Sequence, residues 1–390
     1  MRIGILTYHR SVNYGAVMQS AALAEELTRR FPNASVEIVD YCSKRMDIYY
    51  KMFTVYRGMD SITQIVPRIE MYRAFRRGMD ALPLSSDRLV TDDCKRFFRW
   101  INGRYDILIS GSDAVWNYSK RGLPNPYFLH DISGNCRRFS FAASCNGLGI
   151  DGFTEIDDAS GKFLEESFDR FDYIGVRDEQ TAAFVHAVCP EARVYHNCDP
   201  SLLLCDLSGC DRTELIEKLV KKYHFDPNKP AIGLMLSNLN GDLSRNLAER
   251  IRERYGTAYQ TVSLYSYNRY ADIPYAADLT PQEWSLIFGL FSLTVSKYFH
   301  GAMFSLLNRT PVLAVSAEKT IAGFPNKVED AFGRLGISDW YMDSKAMDWS
   351  VFMNKMDELL SNPQKERIDT GVRREMQSAE TFFERMQAVC

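Results

Sequence analysis

Apolar runs and amphipathic stretches alternate through the first forty residues. Residues 2–8 (RIGILTY) form a short apolar run typical of a β-strand, and residues 36–41 form a second one. Between them, residues 17–31 carry apolar side chains from Met18 to Leu27 near the spacing of one helix face. Parallel strands require such a helical crossover, so the pattern predicts a β-α-β unit.

The same alternation continues through the N-terminal half. Further apolar strand candidates are residues 105–110, 138–143, 173–177 and 192–196. Helical stretches lie between them, at residues 160–168 and 179–188. Strands that alternate with helices favour an open α/β sheet. We assign residues 1–205 to this first domain.

A second α/β set follows a polar linker at residues 205–212. Its strand candidates are residues 231–236, 259–264, 293–296 and 311–315. One helix is predicted to begin after Thr280, an N-cap residue followed by Pro281 and Glu283.

The predicted fold class is therefore α/β, with two Rossmann-like domains that face a cleft. The second domain covers residues 206–345, and residues 346–390 form C-terminal helices that pack back on the body. Ligands usually bind in such a cleft, at the carboxyl ends of the parallel strands.

Residues 43–82, within a predicted helical insertion at about 43–85, differ in composition. Eight basic residues against four acidic ones give this stretch a net charge of +4, interspersed with tyrosine, phenylalanine and methionine. One interpretation is a helical lid at an anionic membrane surface or on a lipid-linked substrate. The other is an inserted helical pair whose apolar face packs on the first domain.

Composition narrows the classes of protein. The chain has 390 residues, 46% hydrophobic and 25% charged, which is ordinary for a soluble globular protein. With 47 basic and 50 acidic residues it has no net attraction for nucleic acid. Nine cysteines without a C-x-x-C pair favour a reducing, cytoplasmic setting. Peripheral contact with the inner face of the cell membrane through residues 43–82 is compatible with this composition.

The familiar motifs for phosphate loops, dinucleotides, zinc and nucleophilic serine do not occur. The six histidines lack ligand spacing, so neither a metal nor a cofactor is expected. Polar clusters instead follow the predicted strands. The first, residues 8–15 (YHRSVNYG), includes Asn13, Tyr14 and Gly15, where close backbone approach and a helix N-terminus could bind an anion. An ordinary β-α turn is the alternative.

The second cluster, residues 110–117 (SGSDAVWN), contains Asp113, Trp116 and Asn117. A carboxylate and an amide can bind sugar hydroxyls, and an indole can stack on the sugar ring. The alternative places Trp116 in the core and makes Asp113 a helix cap.

Two further candidates are a cation and a proton carrier. Arg177 ends a strand and can bind a carboxylate or phosphate in bidentate fashion, unless it forms a structural pair with Asp178. His300 follows a strand, and Gly301 opens the next helix. The helix N-terminus lowers the pKa of such a histidine, which can then transfer protons near pH 7, although a structural role is the alternative.

Taken in order, these segments resemble the polysaccharide pyruvyl transferase family. The resemblance spans nearly the whole chain except residues 43–82 and the C-terminal tail. The matching segments are GILTY…NYGA (4–16), SGSDAVWN (110–117), SFAAS (140–144), VRDEQTA (176–182), CDPSLLL (198–204) and TPQEW…FHGAMFSLL (280–307).

The resemblance implies a glycosyltransferase-B-like architecture and transfer of the enolpyruvyl group of phosphoenolpyruvate onto two hydroxyls of a sugar. The product is a pyruvate ketal in a bacterial exopolysaccharide or capsule, or in its precursor, which could be lipid-linked. The first domain is then the acceptor side and the second the donor side. His300 becomes the proton carrier or phosphate contact, Arg177 a donor contact, and Asp113 the sugar contact or base. The scheme requires neither a metal nor a nucleotide.

One position departs from the family pattern. Lys297, Tyr298 and Gly301 are further candidate substrate contacts. Tyr298 stands where some members carry a basic or small residue, and Lys297 precedes it. Adjacent strand residues point to opposite faces, so Lys297 cannot replace a cation at position 298. We expect donor binding to rely more on Arg177. The rival interpretation is a nucleotide-sugar-dependent glycosyltransferase of the same two-domain type.

Overall fold

The computed structural model describes residues 1–56, 65–146, 156–204, 207–236, 241–264, 266–316 and 324–389. The predicted domain boundary between residues 205 and 206 lies outside the described residues. So do residues 57–64 of the predicted insertion.

The first domain is built on a parallel sheet. In chain order its elements are β1 (Arg2–Leu6), α1 (Tyr14–Arg30), β2 (Ser35–Ile38), β3 (Tyr41–Cys42), α2 (Lys44–Tyr56), α3 (Ile65–Met79), β4 (Leu89–Val90), α4 (Cys94–Ile101), β5 (Ile107–Ser110), α5 (Tyr118–Arg121), β6 (Arg137–Ala143), α6 (Asp158–Phe168), β7 (Tyr173–Val176), α7 (Glu179–Val188) and β8 (Val194–His196). The sheet has six strands, all parallel, in the order β2-β1-β5-β6-β7-β8. A separate parallel pair joins β3 to β4, so the predicted second strand ends earlier than expected.

The apolar strands follow from burial on both faces of this sheet. Ile107 and Ile109 of β5 pack into one hydrophobic cluster, whereas Leu108 between them packs into another. Successive side chains of a strand point to opposite faces, and helices cover both faces of a parallel sheet. A continuous apolar run is the result.

The second domain also has a parallel sheet. The elements of this domain are α8 (Thr213–Tyr223), β9 (Ala231–Met235), α9 (Gly241–Tyr255), β10 (Gln260–Ser263), α10 (Pro281–Ile287), β11 (Phe291–Ser296), α11 (Phe299–Leu307), β12 (Val312–Ser316), α12 (Lys327–Leu335) and β13 (Tyr341–Asp343). The sheet has five strands in the order β10-β9-β11-β12-β13. The predicted start of α10 is confirmed, because Thr280 and Glu283 form a reciprocal capping box. The sequence pattern does not predict the short edge strand β13.

The C-terminal tail crosses back to the first domain. It forms α13 (Trp349–Ser361), α14 (Lys365–Gln377) and α15 (Glu380–Gln387). Phe382 of α15 packs edge-on against Phe141 of β6, with ring centroids 4.6 Å apart. Arg30 at the end of α1 pairs with Glu380 at 2.6 Å. The tail therefore ties the two domains together.

The inserted helix α3 contacts both domains. Phe75 is buried against Tyr14 of the first domain, with ring centroids 5.7 Å apart. At the other end, a Cβ on Gly78 would lie 2.1 Å from Pro281 of α10. Arg77 also pairs with Asp278 at 3.0 Å. The insertion thus packs on the second domain as well as the first, which neither interpretation of the sequence included.

Candidate active site

In each sheet the strand order reverses next to the first strand of that domain. The first sheet reverses between β1 and β5 and the second between β9 and β11. Loops that follow three of these four strands, β1, β5 and β11, line one cavity of about 530 Å³, as does Met235 at the end of β9. Such a reversal leaves a crevice outside the carboxyl ends of the strands, which is where open α/β proteins bind ligands.

His300 stands where β11 gives way to α11, and its ring crosses to the first domain. A Cβ on Gly15 would lie 2.1 Å from His300 Cγ, so only glycine allows this approach. The imidazole lines the cavity, and its Nδ1 is buried without a hydrogen-bond partner among the described residues. Burial lowers the pKa of His300, although Asp199 and Asp113 act in the opposite direction. The neutral form therefore prevails at pH 7 in the free protein.

Arg177 lies just beyond β7 and is held by two carboxylates. Its guanidinium donates to Asp199 Oδ2 at 3.0 Å and to Asp113 Oδ1 at 3.4 Å. It also stacks over the ring of Phe299, at 5.0 Å from the centroid. Asp178 instead caps α7 through Thr181, so the suggested Arg177–Asp178 pair does not form. Arg177 is 2% exposed, and two acids already offset its charge.

Asp113 occupies a left-handed backbone position, with φ of 70°. Aspartate tolerates this region better than most residues. Burial by itself raises the pKa of its carboxyl, but Arg177, His300 and Lys327 together hold that pKa below its usual value. Asp113 is therefore an ionised acceptor in the cavity wall, suited to bind or deprotonate a hydroxyl.

Asp40 anchors the loop at residues 8–15 through contacts with Arg10 and His9. Arg10 Nε donates to Asp40 Oδ1 at 2.7 Å, and His9 Nε2 lies 3.1 Å from the same oxygen. Asn13 Oδ1 accepts from the backbone N–H groups of Gly15 and Ala16 at 3.0 and 3.4 Å. The expectation that α1 offers these amides to an anion is therefore wrong, because Asn13 already occupies them.

The predicted sugar-stacking role of Trp116 is also wrong. Its side chain is 0% exposed, stacked on Phe128 and edge-on to Phe168. The indole N–H donates to the carbonyl of Tyr127 at 3.2 Å. Trp116 thus packs inward, in a buried aromatic cluster with Phe128 and Phe168. Asn117 does line the cavity, and its amide donates to the carbonyl of Asn146 at 2.8 Å.

The aromatic wall of the cavity comes from other residues. Tyr14 stacks on Trp284 of α10 with ring centroids 5.4 Å apart and a 13° interplanar angle. Burial raises the pKa of Tyr14 well above its usual value, so the phenol keeps its proton. Its hydroxyl is buried and has no hydrogen-bond partner among the described residues. Tyr14 and Trp284 therefore give the cavity wall an aromatic component, and the Tyr14 hydroxyl is neutral and buried.

The remaining predicted residues cluster at the start of α11. Tyr298 lines the cavity, whereas Lys297 is not among its lining residues. Gly301 is a packing glycine, since a Cβ there would lie 2.6 Å from Ser296 Oγ. No described side chain caps α11, in contrast to Asn13 on α1 and Asn326 on α12. The first turn of α11 therefore lacks the side-chain cap that α1 has, and an uncapped helix N-terminus is able to bind an anion.

Three functional candidates were missing from the sequence-based set. Asp199 follows β8 and binds Arg177. It lies in the segment CDPSLLL (198–204), which the sequence marks only through the family resemblance. Lys327 opens α12 and lines the cavity, and it acts electrostatically on both Asp113 and His300. Arg68 enters the cavity from α3. Nothing in the local sequence marks Lys327 or Arg68, because only the packing of domains brings them there.

Within the described ranges, no group of three or more His, Cys, Asp and Glu side chains is arranged to hold a metal ion. Among the helices formed by these residues, none combines the length and apolar character that crossing a membrane requires.

Solved structures share this architecture over its full length. The UDP-GlcNAc 2-epimerase of Neisseria meningitidis matches with a TM-score of 0.53 at 9% identity, covering 100% of both chains. The UDP-GlcNAc 2-epimerase of Methanocaldococcus jannaschii matches with a TM-score of 0.51 at 8% identity, covering 98% of this chain and 100% of that one. A glycosyltransferase from Rickettsia africae matches with a TM-score of 0.50 at 11% identity, covering 98% of this chain and 94% of that one.

These likenesses define the class: the protein has a glycosyltransferase-B-type fold of two Rossmann-like domains, as predicted. The search of curated proteins found no match to the chain. The family model for polysaccharide pyruvyl transferase matches residues 13–318. The chain therefore belongs to the polysaccharide pyruvyl transferase family and is a transferase of polysaccharide biosynthesis.

Proposed function

We propose that this enzyme transfers the enolpyruvyl group of phosphoenolpyruvate to two hydroxyls of one sugar, which belongs to a polysaccharide or its precursor. The observation that carries the proposal is the convergence of His300, Asp113, Arg177 and Lys327 from both domains on one cavity. The donor carries a carboxylate and a phosphate. Lys327 and the uncapped N-terminus of α11 provide positive charge and N–H donors for them.

The chemistry divides between two groups. Protonated His300 delivers a proton to the methylene carbon, which becomes a methyl group, and C2 gains oxocarbenium character. Asp113 accepts the proton of the first sugar hydroxyl as its oxygen bonds to C2. The C2–O bond to phosphate then breaks, and the second hydroxyl closes the ketal as its proton passes to the leaving phosphate.

In this scheme Arg177 is a positioning residue and not the donor contact that the resemblance implies, because Asp113 and Asp199 already offset its charge. Its two carboxylate partners fix the guanidinium, which in turn holds Asp113 in the cavity wall. Binding of the anionic donor beside His300 raises the pKa of the imidazole towards neutrality, because a negative charge favours the protonated form.

The test uses phosphoenolpyruvate labelled with ¹⁸O in the oxygen that bridges C2 and phosphorus, offered with a panel of sugars and glycans. Pyruvyl transfer predicts a product heavier than the acceptor by pyruvate less water, with the label in released phosphate. In D₂O the new methyl group gains deuterium. A label that stays with the pyruvyl carbon would show P–O cleavage and overturn the proposal. Transfer of a sugar from a nucleotide sugar, with no reaction of phosphoenolpyruvate, would assign the rival glycosyltransferase activity.

A further inference from the structure

The outer faces of α2 and α3 carry a concentration of exposed apolar side chains. Eight large apolar side chains are exposed among the described residues, and half of them lie on these two helices. These four are Ile48 (56% exposed), Tyr49 (37%), Val66 (64%) and Ile69 (38%). The insertion is thus more apolar on its outer surface than the rest of the described protein.

Basic residues share the same helix faces. On α3, the exposed residues Val66, Ile69, Arg73 and Arg76 follow a spacing of three, four and three, which places them on one side of the helix. The opposite side carries the buried Phe75 and packs on the body. On α2, Lys44 and Ile48 are exposed one turn apart.

Arg73 and Arg76 on the outer face of α3 differ from Arg77 in having no acidic partner among the described residues. Arg77 is tied to Asp278 of the second domain at 3.0 Å. In the part of the chain that the structure describes, neither Arg73 nor Arg76 forms an ion pair, and both are exposed. Positive charge is therefore concentrated where the apolar side chains are exposed.

We propose that the outer face of α2 and α3 docks on the surface of an anionic lipid bilayer. Helices with an apolar and basic face lie in the headgroup region, where apolar side chains enter the acyl boundary and lysine and arginine meet anionic lipids. The apolar residues are spread along two helices rather than gathered in a groove, which suits a flat bilayer better than one protein ligand. The net charge of +4 over residues 43–82 complements such a surface.

Docking in this way would bring one edge of the cavity close to the bilayer. Tyr49 is exposed on the outer face of α2 and also lines the cavity. The docking itself does not depend on the proposed reaction.

The test is co-sedimentation of the full chain with vesicles at low ionic strength, without donor or acceptor. Binding is expected to vesicles that contain phosphatidylglycerol, to weaken with added salt and to be much weaker to pure phosphatidylcholine. The double variants Val66→Asp/Ile69→Asp and Arg73→Glu/Arg76→Glu are each expected to lower binding roughly tenfold or more.

Matched controls change the same chemistry elsewhere. Val351→Asp replaces an apolar side chain that is 55% exposed on α13, and Lys95→Glu/Arg99→Glu reverses two exposed charges on α4. Both controls should bind as the wild type does, and thermal unfolding should show that all variants are folded. Failure of the wild type to bind anionic vesicles, or wild-type binding by the α3 variants, would overturn the proposal and leave an acidic protein as the occupant to seek. Because the assay contains no substrate, its failure is separate from that of the proposed reaction.

Discussion

The ring of His300 lies directly against Gly15, across the boundary between the two domains. A Cβ added to Gly15 would lie 2.1 Å from Cγ and 2.5 Å from Cβ of the histidine. The contact joins the first turn of α1 to the first turn of α11. The glycine therefore sets the position of the histidine in the cavity.

This contact predicts the effect of Gly15→Ala. The new methyl group must push His300 away from its position, and a displacement of about 1 Å in an active site costs on the order of 100-fold in rate. We expect a loss of that size in kcat, measured by phosphate release. The control is Gly161→Ala on α6, where the added Cβ would meet only Ile156 at 3.6 Å and turnover should not change. Normal turnover in Gly15→Ala would contradict the proposed role of the contact.

A pH profile tests the protonation of His300. Burial lowers its pKa below the usual value of about 6.5. A group that must donate a proton loses activity as pH rises through its pKa, so kcat/KM should climb as pH falls towards that value. This limb should be absent from His300→Gln and present in His186→Gln, which changes an exposed histidine on α7. The same limb in both variants would assign the titration to another group.

Arg177→Met should destabilise the fold. It leaves Asp113 and Asp199 close together without their shared cation, and removing one partner of a buried pair costs about 3–5 kcal/mol. Chemical denaturation should show this loss. Arg137→Met is the control, because its pair with Asp172 is exposed and worth about 0–1 kcal/mol.

The stability deficit of Arg177→Met should also depend on pH. In the wild type, the lowered pKa of Asp113 means that its contribution is present above about pH 4 and is lost as pH falls through the folded pKa. Without Arg177, burial dominates and raises that pKa, so the variant loses stability as pH rises above about 4. The gap between the two proteins should widen from pH 4 to 7. A constant gap would contradict the ion network.

Tyr14→Phe should stabilise the fold. The Tyr14 hydroxyl is buried without a partner among the described residues, and such a group costs about 1–3 kcal/mol. The variant should therefore be as stable as the wild type or more so in chemical denaturation. Tyr105→Phe, which removes a 2.6 Å bond to Glu37, should instead lower the stability. A clear loss of stability in Tyr14→Phe would show that the hydroxyl has a partner in the native protein.

The sequence predicted those parts of the fold that local pattern controls. Strands buried on both faces, such as β1 and β5, read as apolar runs, and α10 begins at its capping box. The exposed edge strand β13 has only three residues and is not buried, so its composition carried no strand pattern. His300, Arg177 and Asp113 could be found because each follows a strand at the ligand-binding edge of a sheet.

The predictions that were wrong, and the cavity residues that were missed, depend on contacts between distant parts of the chain or on a choice between two roles for one side chain. Trp116 follows a strand as well, but its side chain packs against Phe168 at the end of α6, about fifty residues further along the chain, and local sequence does not reveal such a contact. The sequence predicts Asn13 as a ligand contact, but in the structure its short polar side chain caps the first amides of α1. Lys327 and Arg68 reach the cavity only through the packing of α12 and α3. Such residues can be recognised only in three dimensions.

The most direct test of pyruvyl transfer is thermal unfolding of the wild type with phosphoenolpyruvate or UDP-GlcNAc. A ligand at 100 times its Kd stabilises the folded state by about 2.7 kcal/mol. We predict a rise in Tm of several degrees with phosphoenolpyruvate in the wild type and in His186→Gln, and a much smaller rise in His300→Gln. We predict no rise with UDP-GlcNAc. A rise in the wild type with UDP-GlcNAc and none with phosphoenolpyruvate would contradict pyruvyl transfer.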